Sequence, residues 1–278
     1  MTIMKDLNVN LALLVLSPVF LLFFVIEVFY YKKNKKEYNL KDTLANMSLA
    51  MLYQLSDILF TILIAKTVYE FFYAHGLKMF NNVTILNIII LFLFQDLLYY
   101  WFHFASHKVR WLWASHVTHH SSTKLNFSTA FRQSMTYPIS GMWLFWIPLV
   151  YIGFHPNLVI LIVSLNLAFQ FFIHTEIINK LGFVEYVFNT PSHHRVHHAT
   201  NKGYLDKNFA GVLIIWDKIF GTFIAEKDKT IYGITRPIYT YNPVKITFHE
   251  WFAMFKDAVK DRDIRYFFKS PEWKKDKV

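Results

Sequence analysis

The chain has 278 residues and a net charge of +10; 54% of its residues are hydrophobic, 19% aromatic and only 17% charged. Soluble domains carry about 25% charged residues, so the surplus of Phe, Leu and Ile is expected to face lipid. There is no cysteine, which excludes disulfides, thiolate ligands and a thiol nucleophile; any metal must be held by nitrogen and oxygen.

Five apolar runs are predicted to form membrane helices, since about 20 apolar residues cross the hydrocarbon. The first covers 10–31. It reads as a helix rather than a cleaved signal peptide: no small-residue cleavage site follows it, and its basic cluster lies after it. The second covers 44–66 and the third 83–102. The fourth, 136–152, and the fifth, 156–174, are joined by "GFHPN", where Gly153 and Pro156 break the helical pattern and predict a hairpin. Beyond 175 the chain turns polar. Residues 211–223 and 247–264 look amphipathic and too polar or short to span. They are expected to pack against the rest of the polar part, with the membrane interface as the alternative. The expected fold is all-α: a multi-pass membrane helical bundle with a cytoplasmic histidine-rich helical cap.

Orientation follows from charge. Lys5 precedes the first run, whereas Lys32, Lys33, Lys35, Lys36 and Lys41 follow it. The positive-inside rule then places 103–135 and 175–278 in the cytoplasm. The basic runs at 32–36, 107–110 and 273–278 flank apolar segments. Anionic headgroups are therefore the expected partner, not nucleic acid.

Thirteen histidines occur, and eight lie in three boxes on the same predicted face. The boxes are "HFASH" (His103, His107), "HVTHH" (His116, His119, His120) and "HRVHH" (His194, His197, His198). Residues three and four apart share a helix face, so each H-x-x-H-H box can serve two adjacent ions. His174, in "FFIHTE", is a plausible ninth ligand. His193 is out of register and is expected to support the site or lie at the surface. His75, His155 and His249 are expected to be structural or surface residues. Asp96 precedes His103 by two helical turns and is expected to hydrogen-bond a first-box histidine. Glu176 is a weaker candidate for the same work.

Imidazole suits Zn, Cu, Fe and Ni. Zinc hydrolases usually use three ligands and a carboxylate base, and no H-E-x-x-H occurs. Two irons activating O2 account for the histidine count better than a zinc-dependent membrane hydrolase does. A metal transporter would spread its histidines through the membrane depth, and here they gather on one side.

The boxes, with "DLLYYWFHFASH", "LWASHVTHHSS", "TPSHHRVHH" and "DKNFAGVLIIWDKIFGTF" in that order, resemble the fatty acid hydroxylase/sterol desaturase superfamily of membrane di-iron enzymes. The likeness covers about residues 90–225. Within the superfamily, "STAFRQS", "FFIHTEIINKLGFVEYVFNTPSHHRVHH" and "YGITRPIYTYNPVK" are similar to alkylglycerol monooxygenases, which cleave ether lipids by hydroxylating the carbon next to the ether oxygen with electrons from tetrahydrobiopterin. The resemblance implies two irons held by His103, His107, His116, His119, His120, His194, His197 and His198, with His174 added, and Asn208 near the metals. It implies O2-dependent hydroxylation or desaturation of a lipid alkyl chain. It divides the chain into N-terminal membrane helices (1–82), a di-iron catalytic domain (83–225) and a cytoplasmic tail (226–278). No H-P-G-G segment marks a fused cytochrome b5, so tetrahydrobiopterin or an external electron-transfer protein is the expected donor. Two departures stand out. The alkylglycerol enzymes show H-R-x-x-H-E in the first box, where this chain has Phe104 and Lys108; an acid near the centre is thereby expected to be lost. Lys108 is expected to turn away from the metals and reach the headgroups. The chain also ends soon after the shared region.

Overall fold

The computed structural model describes residues 9–80 and 82–275; Lys5 and the end of the basic run 273–278 lie outside them. Among the described residues every regular element is helical, joined by loops that carry two isolated bridges, Phe188–Leu213 and Ala199–Tyr232.

Helix α1 is Val9–Lys33 and ends on two lysines. Helix α2, Leu40–Phe60, starts where the Asn39 side chain accepts from the Asp42 amide, satisfying one of the helix's unpaired donors. It runs through one π turn, Thr61–Ala65, into α3, Lys66–Ala74. Helix α4, Ile85–Lys108, starts under the Thr84 side chain, which accepts from Asn87. Three segments are long and apolar enough to cross a membrane: Val15–Lys33, Leu40–Ala74 and Ile85–Lys108. Leu44, Met51, Leu55, Leu59 and Ile62 are all exposed along the second segment. An apolar stripe of that length fits lipid rather than water.

The fourth and fifth apolar runs form the expected hairpin, but the fourth is not one helix. Residues 136–152 break into Tyr137–Ser140, a 3-10 turn Met142–Trp146, and Ile147–Ile152. Pro138 and Pro148 remove amide donors, and Gly141 takes a left-handed φ of 85° between the first two pieces. The fifth run is α5, Pro156–Phe171, only 16 residues long. These pieces fold back as a hairpin whose tip docks on the 77–79 turn, through Leu77 N–Tyr151 O (2.7 Å) and Met79 N–Ile152 O (3.0 Å). Gly153 is obligatory there: its φ is 123°, and a Cβ would meet the Lys78 and Met79 backbone at 2.8–2.9 Å. The main apolar core, with Leu91, Tyr99, Phe102, Trp146, Leu149 and Ile162, lies between α4 and this hairpin.

After α4 the chain turns at Val109 into α6, Arg110–His120. Helix α7 is Pro191–His197, and α8 is Pro243–Asp261. One face of α8 packs on α6 through Trp251 and Met254 against Ala114. The fully buried Arg110 clamps the two by donating to Glu250 (2.7 Å) and Asp257 (2.8 Å). The 211–223 segment is mostly a strap rather than a helix; only Ile215–Ile219 is helical.

Candidate metal centre

The three boxes and His174 arrive from separate elements. α4 delivers His103 and His107, one turn apart at its polar end. α6 delivers His116, His119 and His120, and α7 with its C-cap delivers His194, His197 and His198. His174 follows the end of α5.

Nine buried histidines form two groups, each with one ring nitrogen per residue within 4.8 Å of the others. His103, His107, His116, His120 and His197 make the first; His119, His174, His194 and His198 make the second. Neighbouring residues in each H-x-x-H-H box go to opposite groups. His119 parts from His120, and His197 from His198, because adjacent helical positions point about 100° apart. The groups touch, with the His120 and His198 rings stacked at 4.4 Å.

The nitrogens converge closely. In the first group the Nε2 atoms of His103 and His116 are 3.0 Å apart, His116 and His120 3.1 Å, and His120 and His197 3.1 Å. In the second, His119–His174 is 3.1 Å, His174–His194 2.8 Å and His194–His198 3.0 Å. A neutral imidazole has one donor and one acceptor, and four of these rings, His103, His119, His174 and His197, already commit Nδ1 as the donor to a carbonyl. A ring of Nε2 atoms cannot then satisfy itself by hydrogen bonding. Metal–nitrogen bonds of about 2.1 Å would place ligands at right angles about 3.0 Å apart. His107 Nε2 is buried with no hydrogen-bond partner. The donor set therefore fits a cation, and the all-imidazole chemistry suits a borderline transition metal.

The outer nitrogens are held by the fold. Nδ1 of His103 lies 2.8 Å from the Phe209 carbonyl, that of His197 3.0 Å from Lys207 O, and that of His174 2.6 Å from Gln170 O. His119 Nδ1 lies 3.3 Å from Arg132 O, and His116 Nδ1 2.9 Å from the Tyr137 hydroxyl. The four carbonyls fix Nδ1 as the protonated nitrogen of their rings and leave Nε2 free to bind; the Tyr137 hydroxyl can donate or accept. Burial, and after it neighbouring imidazoles, hold His116, His120, His194 and His198 well below the usual histidine range. These rings are therefore neutral, as a metal ligand must be.

Four sequence expectations need correction, those for Asp96, the acid beside His107, Lys108 and Glu176. Asp96 touches no histidine: it accepts from the amides of Val212 and Leu213, the Trp216 indole and the Asn166 amide at 2.8–2.9 Å. The acid expected to be missing beside His107 is present from elsewhere in the chain. Asp206 Oδ1 lies 3.4 Å from His107 Nδ1. Its other oxygen pairs with Lys108, which therefore meets a carboxylate rather than the headgroups. Burial raises the Asp206 pKa, but His107 and Lys108 outweigh it and hold the group below the usual carboxylate range.

Asn208, through its side chain, hydrogen-bonds backbone groups rather than a histidine ring. At a left-handed φ of 56° it donates to the carbonyls of His193 and Ile224 and accepts from the Ile224 amide. His193 is buried, outside both groups, with Nε2 4.0 Å from Glu185. Glu176 meets Tyr31 at 3.3 Å rather than a histidine. His75 caps α3, His155 caps α5, and His249 lies on α8. Sequence reasoning missed Asp217, which accepts from the amides of Phe209 (2.7 Å) and Ala210 (2.8 Å). Its signal was an acid inside the apolar "LIIWDKIF".

Residues 88–222 match the family model for fatty acid hydroxylase. A human alkylglycerol monooxygenase is 52% identical over 164 residues, 59% of this chain and 36% of that protein. One from Xenopus tropicalis is 43% identical over 186 residues, 66% of this chain and 41% of that protein. An ornithine lipid hydroxylase of Rhizobium tropici is 27% identical over 124 residues, 45% of this chain and 38% of that protein. The chain thus spans 34–41% of the length of the curated relatives it matches. No solved structure matches it.

Proposed function

We propose that the chain belongs, through residues 88–222, to the fatty acid hydroxylase family, and that it is a membrane-bound oxygenase acting on an alkyl C–H bond of a lipid. The reaction is assigned to residues 83–225, and His103, His107, His116, His120 and His197 would hold one iron, with His119, His174, His194 and His198 holding a second. Two bound irons would supply the capacity to activate O2 and oxidise an unactivated C–H bond.

The protein's own part is positioning. Backbone carbonyls at Phe209, Lys207, Gln170 and Arg132 orient four rings. Burial keeps the imidazoles neutral and bulk water away from the centre. The names of the relatives point to an alkylglycerol as substrate, with the carbon beside the ether oxygen as the site of attack. Hydroxylation is favoured over desaturation on the same ground. Tetrahydrobiopterin or an external electron-transfer protein would provide electrons. Lys32, Lys33, Lys35 and Lys36, at the end of α1 nearest the histidines, support a cytoplasmic centre.

The observation that carries this reading is the convergence of nine buried ring nitrogens into two groups without a carboxylate in either. The test is elemental analysis of protein purified from membranes, beside an alkylglycerol assay with tetrahydrobiopterin in air and under nitrogen. Two irons per chain, and product only with O2 and reductant, are expected. Zinc in place of iron, with product forming under nitrogen, would favour the hydrolase.

A further inference from the structure

Helix α8 has three faces, and packing explains only one. On a helix turning about 100° per residue, Ile246, Glu250, Trp251, Met254 and Ala258 share the buried side. Val244, Phe252, Phe255 and Val259 are exposed and fall within an arc of about 80°. Val259 is 76% exposed and Phe252 72%, so among the described residues these two have little cover, while Phe255 is half exposed and meets the Phe267 ring at 5.2 Å. Lys245, Lys256 and Lys260 are exposed and occupy the adjoining arc of about 60°. Ile264 and Phe268, both exposed, continue the apolar surface past the helix end.

The placement of α8 says what covers the stripe. Asn39, the cap of α2, donates to the Tyr241 hydroxyl at 2.9 Å, just before α8 begins. Ile246 then packs with Ala45 and Leu49 of α2. The helix therefore starts beside the end of a membrane-crossing segment, next to the exposed Leu40 and Leu44. Its first turn thus lies beside that apolar surface, and its lysines line one border of the exposed arc. A protein–protein interface is depleted of lysine relative to the rest of the surface. An amphipathic helix lying in a bilayer interface is rich in it.

We propose that α8 lies in the headgroup layer of an anionic leaflet, with Val244, Phe252, Phe255 and Val259 at the acyl boundary and Lys245, Lys256 and Lys260 on lipid phosphates. This rests on reading Leu40–Ala74 as membrane-spanning, and is independent of the metal assignment. The packed and the interfacial readings of this segment then describe opposite faces of one helix.

The chain has no cysteine, so single spin labels can be placed in it without background. Labels would go at Phe252→Cys and Val259→Cys on the stripe, Leu55→Cys on α2, and Lys229→Cys as an aqueous reference. Each variant is reconstituted in phosphatidylcholine vesicles with and without phosphatidylserine. Collision with O2, which concentrates in lipid, is compared with collision with a water-soluble nickel chelate. The stripe labels are expected to favour O2 several-fold over the Lys229 reference, more so with phosphatidylserine. Replacing Lys245, Lys256 and Lys260 together by Gln should abolish the phosphatidylserine effect and leave Leu55 unchanged. Stripe labels as open to the chelate as Lys229, with Leu55 shielded, overturn the proposal alone. Chelate access at Leu55 as well overturns the spanning reading with it. Spin–spin broadening at Val259 with both reagents excluded would assign the stripe to a second copy and also overturn the proposal.

Discussion

The Phe209 carbonyl lies 2.8 Å from Nδ1 of His103, and it is held there by two acids that never touch the ring. Asp217 accepts from the amides of Phe209 and Ala210, and Asp96 from those of Val212 and Leu213. The strap, taken with the residues just before it (207–223), also supplies Lys207 O to His197. Gly211 lies at its closest approach: a Cβ would meet Asn166 Oδ1 at 2.6 Å and Tyr99 at 2.8 Å. The strap is thus a template of carbonyls pressed against the first histidine group by buried carboxylates.

Asp96→Asn and Asp217→Asn should each turn an amide NH2 toward backbone donors. A hydrogen bond to a charged group contributes about 1.5–3 kcal/mol, so a loss of about 2 kcal/mol or more is expected for each. Because both act on one strap, the double variant should cost less than the two single losses added. Thermal unfolding of the three variants in detergent measures this. Full additivity would mean that the strap does not couple them.

The two histidine groups should respond differently to loss of one ligand. His107→Ala leaves four imidazoles in the first group, whereas His119→Ala leaves three in the second. The expected outcome is that His119→Ala halves the metal content and abolishes turnover. His107→Ala should retain metal in both groups and lose activity only in part. Metal per chain by elemental analysis, read beside the assay, decides it; equal metal loss in both variants would contradict the grouping.

The histidine groups were legible because H-x-x-x-H and H-x-x-H-H are helical spacings, and helices carry them. The companions of Asp96 were not. A helical period points from Asp96 toward His103, but it says nothing of a strap more than a hundred residues later that takes the carboxylate first. Asp206 was hidden for the same reason: it reaches His107 across 99 positions on a loop. In the fourth apolar run, Pro138, Gly141 and Pro148 were visible, yet uniform hydropathy over 136–152 concealed the break. For α8, amphipathicity was visible, while its division into a packed arc and an uncovered arc needed the neighbouring helix.

Asp206→Ala should leave His107 Nδ1 without an acceptor. Loss of such a partner typically costs about 10–100-fold in metal affinity or activity. Lys108→Gln should be much milder, because a half-exposed ion pair contributes about 0–1 kcal/mol. Competition with a chelator, followed by residual iron, separates the two. Equal sensitivity would make Lys108, rather than Asp206, the group that positions His107.

Glu27 binds the first membrane helix to the second histidine group from two directions. It is fully buried in α1, where it accepts from the Phe127 amide at 2.7 Å and from the Thr175 hydroxyl. Thr175 follows His174 directly, and Phe127 begins the turn that leads to Arg132, whose carbonyl meets His119. Glu27→Ala would leave two buried donors unpaired, at about 1–3 kcal/mol each. The loss should fall on His119 and His174, so one of the two metals is expected to exchange faster while the other is retained. Glu27→Gln keeps one acceptor oxygen and should lie between wild type and Glu27→Ala. Rates of metal release to a chelator, resolved into two phases, measure this. If Glu27→Ala speeds both phases equally, α1 supports the bundle as a whole and not the second group in particular.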